Sequence, residues 1–393
     1  MALAFYGPAR HPAHTSRSLI PPIEVFRNAL AHGIFADRMK TYYLALLLPF
    51  LAACSTGGPN DRANADTVGT DTASTTGNVV NVYSHRHYDT DRQLFESFTQ
   101  RTGIEVRVIL ADDDEVLARM EQEGANSPCD VLITSDAGRL GLAKKRGLLQ
   151  PIESQVLTAN VPAHLRDPDG QWFGLTVRAR VLAYDRTKVD PSDLKTYDDL
   201  MLPRWKGKVL VRPSESTYNQ SLLAAMIANT GEQHALAWAM GLVRNFAREP
   251  KGNDTDQLLA IGEGLGEVAI SNSYYIARLM RSDDPAKQKA KAAIGVAFPD
   301  MNGHGTHINI SGAGVARNAK HRANAIQLIE FLSGDDAQRL FAEGNNEFPV
   351  KKGVPLAGVL QQFGTFTPDT LNLAALAENN AAAVKLFDQA GWR

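Results

Sequence analysis

"VVNVYSHRHYDTDRQLFESFTQRTGIEVRVIL", Val79 to Leu110, changes its hydrophobic period twice within one short stretch. "VVNVYS" reads as a buried strand, and "TDRQLFESFTQRTG" puts Leu94, Phe95 and Phe98 on one helical face, with Thr90 or Asp91 as cap and Gly103 as stop. "IEVRVIL" then alternates, which predicts a second strand with Ile104, Val106, Val108 and Leu110 turned inward. The pattern continues: "DEVLARMEQEG" is a helix ending at Gly124, "DVLIT" from Asp130 is a short buried strand, and "DAGRLGLAKKRG" is a third helix. A βαβαβα run predicts a doubly wound α/β lobe with a parallel sheet, whose ligands sit beyond the carboxyl ends of its strands. His85, His87 and Tyr88 follow the first strand at that edge.

At 393 residues the chain exceeds the usual size of one domain, so two lobes are expected. The middle supplies the second. "WFGLTVRARVLAYDR" gives two strands in succession, Phe173 to Val177 and Arg180 to Tyr184, which carry the chain across. "KVLVR" is a further strand, Ser216 or Thr217 caps a helix from Tyr218 to Asn229, and helices from His234 to Phe246 and Asp254 to Glu263 follow. "EVAIS" is a buried strand that runs into "SNSYYIAR", "IGVAFP" is a late strand, and "GTHINISGAGVAR" reads as a return crossing. "KHRANAIQLIEFLSG" closes as a helix with Ala325, Leu328, Ile329 and Leu332 inward. Two lobes joined by crossing strands imply a ligand cleft between them that hinge motion opens and closes.

A formal net charge of −2 gives no electrostatic case for nucleic acid. Upstream of the first strand, "MKTYYLALLLPFLAAC" at 39–54 holds a lysine, an apolar core too short for a comfortable membrane span, and then Cys54. "LAAC" resembles a bacterial lipoprotein signal, which implies a lipid on Cys54 and a chain tied to a membrane in the periplasm or at the cell surface. Translation is then expected to start at Met39. Residues 55–78 are small and polar without periodicity and read as a tether. Only Cys129 remains as a second cysteine, a buried small apolar residue at a strand entrance.

Three segments lie just past strand ends: "YSHRHYDTD" at 83–91, "SESTYNQS" at 214–221 and "SNSYYIAR" at 271–278. Between them they offer His87, Tyr88, Tyr218, Tyr274 and Tyr275. A phenol with an ordinary pKa of about 10 is a poor ligand at neutral pH unless a highly charged cation drives its deprotonation. Phenolate is hard and anionic, which suits Fe(III) better than zinc or copper(I), and no thiol competes here. Arg178, Arg180 and Arg278 are placed to neutralise surplus negative charge or to hold an anion such as carbonate. "ADDDEV" reads as a helix start, where acids suit the dipole, and "GHGTH", with His304 and His307, reads as a loop for want of a partner at ligand spacing.

"YSHRHYDTD", "EGANSPCDVLIT", "VRARVLAY", "STYNQS", "NSYYIAR" and "HINISGAGVARNAK", in that order, closely resemble the ferric-iron-binding periplasmic proteins that feed ABC iron importers, in the branch with a His-Tyr pair and three further tyrosines. The resemblance covers nearly everything from Val79 on. It implies an α/β, two-lobed type II periplasmic-binding-protein fold with a ligand cleft between lobes joined by crossing strands. It also implies Fe(III) held by His87 and Tyr88 from the first lobe and by Tyr218, Tyr274 and Tyr275 from the second. The implied partners are an ABC permease and its ATPase, with the receptor working as a monomer. The expected layout is a leader over 1–53, a tether over 54–78, a first lobe of 79–179 with about 305–350, and a second of 180–304 with about 351–393. Two readings stand beside this one: the same fold binding an oxyanion or small organic solute, and a non-haem iron enzyme. The enzyme needs open coordination positions that five protein ligands do not leave, and no recognisable hydrolase triad accompanies the site.

Overall fold

The computed structural model describes residues 77–393, His87 and Ala357 excepted, so the expected leader, Cys54 and nearly all of the tether lie outside the described residues. Val79–Ser84 (β1), Asp89–Thr102 (α1), Glu105–Leu110 (β2), Asp113–Glu123 (α2), Val131–Thr134 (β3) and Ala137–Lys145 (α3) form the expected alternation. β1 lies between β2 and β3, parallel to both, so the carboxyl ends of β1 and β3 share one edge. Gly103 ends α1 in the left-handed region at φ 72°, which a Cβ would disfavour. The cap of α1 is Tyr88 rather than Thr90 or Asp91, both of which are buried inside the first turn.

After Gln155–Asn160 (α4), the two strands expected around "VRAR" prove to be one, Phe173–Asp185 (β4). The chain does not turn between them, because β4 changes partners instead of direction. Residues 173–179 pair with Ile308–Val315 (β8), and residues 180–184 pair with Val268–Asn272 (β6). The sheet order is β2-β1-β3-β8-β4-β6-β5, with Val209–Leu210 (β5) at the far edge. Ile294–Ala297 (β7) and Phe348–Pro349 (β9) also pair with β4. The fold is thus two-lobed, with one strand running through both half-sheets.

The second half-sheet carries Thr217–Thr230 (α5), Glu232–Val243 (α6), Asp254–Gly262 (α7), Ser273–Arg281 (α8) and the short Gln288–Ala293 (α9). The chain then returns through β8 into Arg322–Leu332 (α10), whose Ala325, Leu328, Ile329 and Leu332 are buried as the spacing requires. Asp335–Leu340 (α11) continues into a π-helical turn, Phe341–Asn345, and after β9 come Val359–Gln362 (α12) and Ala374–Ala390 (α13).

One expectation needs correction and another refinement. β2 is an edge strand paired only with β1, so Val108 and Leu110 are exposed rather than inward. His307 does lie in the loop just before β8, but it is buried rather than exposed, and burial followed by the nearby Arg180 pushes its imidazole down to about 3.

α13 packs on α5 and α6 and also on α3, where a Cβ built on Gly141 would stand 2.3 Å from Ala377 Cβ. Nothing larger than glycine fits there without moving one helix. Gly141→Val is therefore expected to destabilise the protein by about 1–3 kcal/mol in urea unfolding, because the clash outweighs the few tenths of a kcal/mol that valine gains over glycine in helix propensity.

Candidate metal centre

The sequence puts each flagged tyrosine at the start of a helix, and the fold turns those helix starts toward one point. Tyr88 precedes α1 with an extended backbone, Tyr218 is the second residue of α5, and Tyr274 and Tyr275 are the second and third residues of α8. The strand-to-helix junction after β6 lets neighbours converge that a continued strand would send to opposite faces. The hydroxyls of Tyr218 and Tyr274 lie 3.3 Å apart. The Tyr274 and Tyr275 rings are 4.3 Å apart at their centroids with a 30° tilt. Tyr88, from the other half of the molecule, feels both Tyr218 and Tyr274 electrostatically. His87 lies outside the described residues.

Tyr88, Tyr274 and Tyr275 are held neutral. Burial is the main cause that raises the pKa of Tyr88, with Glu347 adding to it and Arg86 opposing it. Burial likewise lifts Tyr274 well above an ordinary tyrosine, reinforced by Tyr218, Tyr88 and Tyr275, and it lifts Tyr275 too. Such a cluster tolerates several phenolates only when a cation stands among them.

Around the phenols are arginines, and four of them, Arg86, Arg178, Arg180 and Arg212, are fixed by buried carboxylates. Arg86 grips Asp91 with two nitrogens at 3.0 and 2.9 Å and reaches Glu347 at 3.1 Å. Arg178 meets the other oxygen of Glu347 at 3.2 Å and donates to Ser311 Oγ at 2.9 Å and to the carbonyl of Ser135. In the second half, Asp254 bridges Arg180 at 2.5 Å and Arg212 at 2.9 Å, and Arg180 also donates to Asn219 Oδ1 at 3.0 Å. Burial alone would lower the pKa of Arg86, but Asp91 and Glu347 outweigh it and hold the guanidinium charged. Arg178 and Arg180, expected to neutralise charge or hold an anion, are thus buried and already engage protein acceptors through their terminal nitrogens.

The guanidinium groups also cover the phenol rings. Arg86 lies 4.8 Å and Arg278 4.8 Å from the Tyr88 ring centroid, Arg278 is 5.7 Å from that of Tyr274, and Arg212 is 5.0 Å from that of Tyr218. Beside Tyr218 opens a cavity of about 480 Å³ lined by His85, Ser135 and Arg139 on one side and by Arg212, Glu215 and Ser216 on the other. Ser135 Oγ, Ser216 Oγ, Arg139 Nε and Arg212 Nε are buried there without hydrogen-bond partners among the described residues. Asp112 and Glu115 of "ADDDEV" also border this cavity at the start of α2, and the described residues hold no cluster of three His, Cys, Asp or Glu groups able to share a metal. The lining is mixed in charge: Arg139 and Arg212 stand beside the carboxylates of Asp112, Asp114, Glu115 and Glu215, and Arg139 pairs with Asp114 at 2.8 Å.

Of the residues in these ion pairs, Arg86 and Asp91 stand inside the flagged segment 83–91. Glu347 and Asp254 reach their arginines from 169 and 74 residues away, and no local pattern marks them.

The model of the family described as bacterial extracellular solute-binding protein matches residues 126–362. The chain is 46% identical over 364 residues to iron uptake protein A1 of a Synechocystis strain, covering 93% of this chain and 99% of that one. It is 28% identical to the Fe(3+)-binding periplasmic protein of Serratia marcescens, over 79% of this chain and 89% of that protein. A solved Trichodesmium protein in complex with iron and citrate superposes with a TM-score of 0.78 at 50% identity, covering 80% of this chain and all of that one.

Removing one member of a buried ion pair costs about 3–5 kcal/mol, because the partner charge is left unpaired in a dry interior. Glu347→Gln strands two arginines and should lower stability in urea by about that much, whereas Glu96→Gln, in an exposed pair with Arg92, should change it by less than about 1 kcal/mol.

Proposed function

The chain belongs to the bacterial extracellular solute-binding proteins, and from that footing we propose that it captures one Fe(III) ion between its lobes and delivers it to an ABC permease driven by a separate ATPase. Its ligands are His87 and Tyr88 from the first lobe and Tyr218, Tyr274 and Tyr275 from the second. The observation that carries this reading is the meeting of buried phenols from both halves at helix N-termini, ringed by arginines. Helix dipoles and guanidinium groups favour the phenolate form once a trivalent ion supplies the remaining positive charge. Thiolates, which would favour softer metals, are absent from the ligand set.

The protein is a carrier rather than a catalyst, since five protein ligands leave little room for a substrate on iron. Carbonate or a carboxylate joins the ion from the cavity beside Tyr218, met by Arg139, Arg212 and the two serines, while Arg178 and Arg180 hold the frame behind it. The moving bodies are 79–179 with about 305–350 and 180–304 with about 351–393, hinged where β4 and β8 cross. The receptor works as a monomer in the periplasm or at the cell surface, tethered through a lipid on Cys54. The Serratia relative is named as periplasmic, which supports the compartment.

Protein loaded with iron should show a phenolate-to-iron charge-transfer band in the visible. The double variant Tyr274→Phe, Tyr275→Phe should lose most of it, and a spectrum unchanged by that pair of substitutions contradicts the ligand assignment. Acid should release the ion. Burial raises the pKa of Tyr88, Tyr274 and Tyr275, so without metal they keep their protons at neutral pH and the ion must displace them. Affinity therefore falls as pH falls, by up to about tenfold per pH unit for each phenolate formed, in chelator competition at fixed ionic strength. An affinity independent of pH would mean that the phenols bind unionised.

A further inference from the structure

The π-helical turn Phe341–Asn345 and the two residues after it touch both sides of the Tyr88 segment. The Phe341 ring lies under Arg86 at 5.2 Å, and Glu347 pairs with that same guanidinium at 3.1 Å. A Cβ on Gly344 would come within 2.3 Å of Thr90 Oγ1, so the turn sits directly on the first turn of α1. Asn346 holds a left-handed backbone at φ 58°, a conformation rare outside glycine. That kink is unusual, and it has a consequence on the surface. It aims the Glu343 carbonyl and Asn346 Oδ1 outward at one guanidinium from the other half-sheet: Arg281 Nη1 donates to them at 2.7 and 3.3 Å.

Arg281 is the last residue of α8, the helix whose first turn carries Tyr274 and Tyr275. α8 packs on β4 and β6, whereas the π-helical turn packs on α1, α11 and β9. The contact therefore ties together the two elements that hold opposing phenols, at a distance of roughly 10 Å along α8 from the phenols themselves. We propose that Arg281 is a positioning residue which docks α8 on the 341–347 turn when the lobes close, and through Glu347 and Arg86 fixes the Tyr88 side of the site. Arg281 touches no phenol. It acts by making closure and the placement of Tyr88 one event, because the turn that receives it is the turn that grips Arg86.

This inference rests on the iron reading only for its kinetic test. Iron-loaded Arg281→Ala should keep the charge-transfer band of the unaltered protein and yet lose iron to a competing chelator roughly five- to tenfold faster, the scale of a charged hydrogen bond near the surface. Asn346→Gly keeps the left-handed backbone but removes one acceptor, and should give part of that effect. Combined with Arg281→Ala it should add nothing, whereas additive effects, or release at the original rate in Arg281→Ala, would overturn the proposal. Small-angle scattering on metal-free protein supplies a readout independent of iron: Arg281→Ala should shift the ensemble to a larger radius of gyration. An unchanged radius together with unchanged release contradicts the docking role. Should the protein carry no iron band at all, the scattering comparison alone decides, and a radius that does not change then overturns it.

Discussion

Arg178 and Arg180 stand two residues apart on β4 and therefore on the same face of one strand, yet they are bound by carboxylates from opposite halves of the molecule. Glu347 takes the first and Asp254 the second. The strand changes its sheet partner between them, from β8 to β6. Each half thus has its own closed ion cluster, with Arg86, Arg178, Asp91 and Glu347 on one side and Arg180, Arg212 and Asp254 on the other. Neither cluster needs the other half to satisfy its charges. That independence lets two bodies share a strand and still move against each other, since bending β4 does not strand a buried ion.

The clusters also set the electrostatics of the cleft. The first is formally neutral, with two arginines against Asp91 and Glu347, and the second carries one surplus positive charge, with two arginines against Asp254. Buried phenols beside them stay protonated while the site is empty, which avoids packing several anions into a dry space. A trivalent ion reverses the balance. Under the proposed ligand assignment its charge, with the surplus guanidinium, would make room for phenolates that an empty cleft rejects, so the site would select ions by the number of charges it can sustain.

Much of this was legible in the sequence where periodicity is local. The βαβ run from Val79, the buried strand before Tyr274, and the amphipathic face of α10 follow from spacing that a single element enforces. The tyrosines were found because each follows a strand end, and strand ends share an edge in such a sheet. What failed depended on distant partners. "VRARV" reads as two strands until Glu347 and Asp254 arrive from far along the chain, and a strand that changes partners leaves no mark in its own alternation. Val108 and Leu110 alternate like core residues, but β2 has a neighbour on one side only, and that is decided by sheet order rather than by pattern. His307 reads as a loop residue for want of a ligand partner nearby, while its burial comes from distant contacts: its carbonyl accepts from the Arg180 N–H at 2.9 Å and its N–H donates to Tyr197 Oη at 3.2 Å.

The central claim is that one ferric ion binds among phenolates contributed by both halves. Iron-edge X-ray absorption on protein purified gently, with elemental analysis of the same sample, tests it most directly. The account predicts one iron per chain in the ferric state, with a first shell of oxygen and nitrogen only and with ring scattering from coordinated phenolate and imidazole. An iron-free protein after purification without chelators, or iron in a shell of water or sulfur, would contradict it.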